Sequence, residues 1–173
     1  MQDSTTIGGF AIPSANRLFL ALVAVHVAAG LIAVIAGIVA MAAPKGRGRH
    51  TRAGLIYFRA LMVVGVTMSL LALGHWPGDA ILFVLGLFSV TAAWIARRAA
   101  IRRPRRLRVH IAGMGASYVL LVVAFYVDNG PQLPLWRSLP PVSYWLVPVV
   151  VGVPLIMRSV MTHPLVWRSE SHD

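Results

Sequence analysis

The chain has 173 residues, 58% of them hydrophobic and only 12% charged, far from the roughly half-apolar, quarter-charged make-up of a soluble domain. That balance excludes an ordinary water-soluble fold and predicts an all-α integral membrane bundle. The absence of cysteine excludes disulfides, thiolate metal sites and Cys-ligated iron–sulfur clusters, and the net charge of +11 sits in short segments between apolar runs, where membrane topology explains it better than nucleic-acid binding does.

After a polar start containing Gly8, Gly9 and Pro13, residues 18–42 are apolar except for His26, and Pro44 closes the run. This first span is too long for a signal-peptide core and has no basic segment before Arg17, so it is expected to stay as an anchor. A basic linker, PKGRGRH, leads to a second span over 53–73, with Arg59 as its only cation. Gly74, Pro77 and Gly78 mark a turn, and Asp79 is placed to cap the third span over 80–96. The segment RRAAIRRPRRLR carries seven arginines and reads as a cytoplasmic loop. A fourth span covers 109–127. The Pro- and Gly-containing DNGPQLPLWRSLPP follows, with Trp136 suited to the membrane–water boundary. The fifth span, 142–157, contains Pro148 and Pro154 and is expected to be kinked or locally irregular.

Fourteen of the 16 basic residues fall in the first linker and its flank, the arginine-rich loop and the C-terminal end, leaving Arg17 and Arg137 on the other side. The positive-inside rule then sets the N-terminus outside and the C-terminus in the cytoplasm, which five spans satisfy. The chain is expected in a bacterial cytoplasmic (inner) membrane, with anionic lipid at its arginine-rich loops. No internal repeat is evident, and the 173 residues read as a single transmembrane domain.

Ionisable groups inside a bilayer are costly, and each needs a reason. His26 lies about 12 Å into the first span. Gly30, Ala33 and Gly37 share its face, so a neighbouring helix or a flat cofactor can approach there. His50 and His110 begin the second and fourth spans. Met114 lies one turn beyond His110, and Ser117 and Tyr118 follow along that face. Two imidazoles from different helices suit axial ligation of a haem iron, with arginines to pair its propionates. His50 and His110 equally suit surface-anchoring, partly protonated side chains beside the basic loops, and His26 a neutral imidazole hydrogen-bonded to a neighbouring helix. His75, in HWPGD, suits either a second site near His26 or a solvated boundary. Arg59 is expected to snorkel, Asp128 and Asn129 to end a helix, and His163 and His172 to lie in a polar tail.

The run KGRGRHTRAGLIY, the small-residue face after His26, and HIAGMGASY together resemble a family of small predicted bacterial multi-pass membrane proteins known only as a domain of unknown function. In the second motif, His110, Met114, Ser117 and Tyr118 fall at the family's spacing. The likeness covers about residues 18 to 128. The family more often has Arg directly after each histidine, where this chain has Thr51 and Ile111, with Arg52 and Arg108 nearby. The resemblance implies the fold and the site positions but no reaction.

The expected function is binding of haem b, or another His-ligated transition metal, for electron transfer or oxidoreduction. His26, His50, His110, Met114 and Tyr118 are the cofactor-binding candidates, and His26 and His110 the metal ligands. The alternatives are a small transporter component, which at this size needs to oligomerise, and a membrane enzyme acting on a lipid-like substrate with His26, Asp128 or Tyr118 as acid or base. A structural or assembly role is the remaining one.

Overall fold

The computed structural model describes residues 4–7, 10–13, 17–44, 48–102 and 106–162. Lys45, Arg47, His163, Arg168 and His172 lie outside the described residues. A two-stranded antiparallel pair comes first, β1 (Ser4–Ile7) and β2 (Phe10–Pro13), with Thr5 opposite Ile12. Five helices follow: α1 (Arg17–Ala42), α2 (Arg49–Gly74), α3 (Ala80–Arg102), α4 (Leu107–Asn129) and α5 (Val142–Thr162). All five are long and apolar enough to cross a membrane, since about 20 residues of helix cover about 30 Å of hydrocarbon. The chain divides into two compact units, Met1–Asp79 and Ala80–Asp173.

Hydropathy marks the apolar stretch, whereas the hydrogen-bonded helix runs on into residues that reach water. So α2 starts at Arg49 and takes His50 into its first turn, and α3 continues past Ala96 to Arg102. Arginine is a good helix former, and its long stem keeps the charge in water. Helix α5 continues through both Pro148 and Pro154 to Thr162, beyond the expected end at Met157. The β pair lies in the stretch that composition describes only as polar.

In the first unit, α1 packs antiparallel on α2. The α1 face that meets α2 is Ala29, Ala33, Ala36, Gly37 and Ala40, all buried, and the larger Tyr57, Leu61 and Val64 of α2 fill the space they leave. Outward positions such as Val27, Leu31 and Val66 are about three-fifths exposed, as lipid-facing side chains should be. Small side chains at the contact let two backbones approach closely, which is the chief source of helix association where lipid is as apolar as leucine. Gly48 precedes α2 with φ +126°, a left-handed conformation that a side chain makes costly.

In the second unit, α3 packs on α4, and α4 on α5. Gly113 of α4 lies against Ala96 and Ala92 of α3, leaving only 2.8 Å between the Ala96 side chain and the position a Cβ on Gly113 would take. Ser89 of α3, buried, donates to the Ser117 carbonyl of α4 at 2.8 Å. Helices α4 and α5 interlock reciprocally: Ile156 fills the space over Gly115, and Val119 fills the space over Gly152. After α4, Gly130 packs under the Tyr144 ring, Trp136 lies over Tyr126 with ring centroids 4.1 Å apart, and the Tyr144 hydroxyl donates to the Trp136 carbonyl at 3.3 Å. This cluster uses Trp136 as a membrane-boundary side chain would be used.

Candidate functional site

Three imidazoles have their Nδ1 atoms tied down between helices. At the loop end of the first unit, His50 Nδ1 donates to the Ala40 carbonyl at 2.8 Å. In a regular helix that carbonyl would accept from the N–H of residue 44, but residue 44 is Pro44, which has none. The histidine of α2 therefore supplies a donor to a carbonyl for which residue 44 has none. At the loop end of the second unit, His110 Nδ1 reaches the Ala96 carbonyl at 3.2 Å. Here Ala100 continues α3 and supplies the helical donor, so the imidazole shares an acceptor already in use, and the contact is longer.

The third imidazole is His26 in the interior of α1, whose Nδ1 lies 2.9 Å from Thr67 Oγ1. Thr67 is buried and back-bonds to the Val63 carbonyl at 2.8 Å, a usual arrangement for threonine in a membrane helix. The Val64 carbonyl also lies 3.1 Å from Thr67 Oγ1, so this one hydroxyl links the imidazole of α1 to the backbone of α2.

A carbonyl can only accept, so Nδ1 carries the hydrogen in His50 and His110. In each neutral ring the lone pair is then on Nε2. Holding Nδ1–H on a backbone carbonyl is how proteins orient an imidazole that ligates through Nε2. Among the described residues no three His, Asp or Glu side chains gather as metal ligands, and every buried side-chain nitrogen or oxygen has a hydrogen-bond partner.

Space beside the rings separates them. Gly30 lies four residues after His26 and Gly54 four after His50, so each glycine follows its histidine along one face of the helix. Apart from the chain neighbours and the backbone of its own helix, no described atom stands within 4 Å of where a Cβ would be at either glycine. After His110, the position four residues on is Met114, and Gly113 and Gly115 are already filled by Ala96 and Ile156. Ser117, buried, donates to the Met114 carbonyl, and Tyr118 is half-buried on the next turn.

Charge separates them too. Arg49 and Arg52 are exposed within two residues of His50, and Arg106 and Arg108 within four of His110. His26 has no such neighbours: along the helices Arg17 is about 14 Å from its level and Arg59 about 12 Å from that of Thr67. His75 follows α2 and packs its ring against Phe19 at 5.4 Å. Arg59 is exposed, as a snorkelling side chain is. Asp128 is exposed and accepts from Asn129 Nδ2 at 3.2 Å.

The glycine signal was present in the sequence as His-x-x-x-Gly at His26 and His50. Thr67 and Pro44 were not recognised as partners, because neither is an unusual residue where it stands. A family model described as predicted membrane protein (DUF2306) matches residues 23–162, from α1 to the end of α5 and past the reach of the two motifs. No curated protein and no solved structure matches the chain.

Proposed function

The chain belongs to the DUF2306 family of predicted membrane proteins, and from that premise we propose that this multi-pass membrane protein binds haem through its loop-end imidazoles and serves electron transfer in the membrane. The observation that carries the reading is the Nδ1 hydrogen bond of His50 to the Ala40 carbonyl, which orients the ring and leaves the lone pair on Nε2.

Three features favour haem over a bare ion. A porphyrin supplies four nitrogens of its own and asks the protein for one or two axial ligands, whereas no three-residue ligand group is formed among the described residues. Arg49 and Arg52 beside His50 provide the cations that two propionates need. The open volume over Gly54 gives a flat ring a place to lie one turn from its ligand. With no cysteine in the chain, thioether attachment is excluded and the haem would be held non-covalently, as haem b is. His110 is the corresponding ligand of the second unit, with Met114 and Tyr118 following on its helix. When bound, haem supplies a one-electron couple. The protein's own part is to hold the imidazole, neutralise the propionates and keep the site dry.

In this reading the arginine-rich ends face the cytoplasm and anionic lipid, in a bacterial inner membrane. The test is an absorbance spectrum of protein purified from haem-replete cells. A Soret band that His50→Ala reduces or removes supports the proposal, with His110→Ala reporting the second unit. A colourless preparation overturns it.

A further inference from the structure

Arg59 is a cation set well inside α2, and neither the haem reading nor the packing of the first unit uses it. It lies ten residues past Arg49, about 15 Å along the helix, and its side chain is exposed. Helix α1 covers the face of Ala53, Tyr57, Leu61 and Val64, while the opposite stripe of Arg52, Ile56, Arg59, Val63 and Val66 is exposed. From Arg17 to Gly74 the chain has no Asp or Glu, so α1 and α2 hold no carboxylate to balance the guanidinium. A charge at this depth is costly unless its head reaches water or an anion. Helical side chains lean toward the N-terminus, which in α2 is the loop end, so Arg59 snorkels toward the headgroups of that leaflet.

The second unit shows the same stripe when a helix covers it. Counting from His50 in α2 and His110 in α4, Arg52 corresponds to Ala112 and Arg59 to Val119, and Val119 fills the space over Gly152 of α5. Small apolar positions receive a helix there, whereas Arg59 under a helix would be a buried charge lacking a partner. The stripe of α2 therefore suits lipid. We propose that it is a binding site for an anionic phospholipid, whose phosphate Arg59 takes through its guanidinium fork while an acyl chain lies along Val63 and Val66. The charge balance selects among phospholipids: a zwitterionic headgroup brings a cation to a helix end already holding Arg49, Arg52 and Arg59, and an anionic one does not. This narrows the general attraction of the basic loop ends for anionic lipid to one site, and it is independent of haem, because Arg59 is no part of that reading.

The test is native mass spectrometry of the full-length protein in detergent, titrated separately with palmitoyl-oleoyl phosphatidylglycerol and the matching phosphatidylcholine. The parent should bind phosphatidylglycerol more tightly. Arg59→Gln should weaken that binding about tenfold, as loss of a charge-assisted hydrogen bond does, and Arg59→Lys, which keeps the charge but not the fork, should fall between. Arg98→Gln, an exposed arginine at the loop end of the second unit, should change it much less. Helical circular dichroism should match the parent in every variant, and any haem absorbance should survive Arg59→Gln, so the two readings fail separately. The inference is overturned if the parent shows no preference for phosphatidylglycerol, if Arg59→Gln binds like the parent, or if Arg98→Gln weakens binding equally. A dimer that Arg59→Gln disrupts would also overturn it, by placing a second copy on the stripe.

Discussion

The two helix pairs, α1–α2 and α3–α4, are built on one register and diverge in what they do with it. Counting back from the carbonyl that accepts the histidine, α1 contributes Ala36, Ala33 and Ala29 where α3 contributes Ala92, Ser89 and Leu85. Counting forward from the histidine, α2 contributes Ala53, Tyr57 and Leu61 where α4 contributes Gly113, Ser117 and Leu121. The steps of three and four residues are the same, and nearly all these positions are buried. The difference is in the fillings. The first pair sets a tyrosine against an alanine in its middle layer, and the second sets serine on serine with a hydrogen bond between them. Deeper still, the first pair has His26 against Thr67, and the same positions in the second are Leu82 and Val127. One scaffold thus serves packing in both halves, with a second histidine beyond the loop end in only one of them.

The comparison breaks most visibly on haem. His50→Ala should abolish the absorbance attributed to the first pair, whereas Leu82→Ala and Val127→Ala should leave it intact; a spectrum insensitive to His50 would end the assignment. Next in size is the contrast between two glycines. Gly113→Leu must force a side chain into Ala96 and should destabilise the second pair by about 1–3 kcal/mol, measured as thermal unfolding in detergent, while Gly54→Leu should leave the unfolding midpoint nearly unchanged and lower haem content.

Smaller effects test the two loop-end hydrogen bonds. His50→Ala should cost about 1–2 kcal/mol because the Ala40 carbonyl loses the donor that replaces a missing N–H, and His110→Ala about half of that. In a Pro44→Ala background, where residue 44 again has an N–H, the cost of His50→Ala should shrink, and a double-mutant cycle reads the coupling directly. The smallest expected change is Thr67→Val, about 0.6 kcal/mol, the average for a hydrogen bond between membrane helices.

The five spans were legible because length and apolarity are properties of single segments. His26, His50 and His110 stood out for the same reason, as isolated polar residues in or beside apolar runs. Their partners did not, since a buried Thr67 in a membrane helix or a carbonyl left by Pro44 acquires meaning only when a second helix comes alongside. The shared register of the two pairs escaped for a related reason: the repeat is in spacing and burial, with Tyr57 answering to Ser117 and Ala29 to Leu85, so residue identity does not reveal it. The continuation of α3 through Ile101 to Arg102 was hidden because hydropathy ends where the arginines begin, although the helix does not.

The reciprocal fit of α4 and α5 restricts how the second unit can move. Each helix presents one notch and one tooth, with Gly115 receiving Ile156 and Gly152 receiving Val119. Sliding by one turn, about 5.4 Å, would carry both branched side chains out of their notches. Helix α5 is therefore indexed to α4 like a key to its wards and cannot act as a piston. Any rearrangement during a working cycle has to carry the two together as one body.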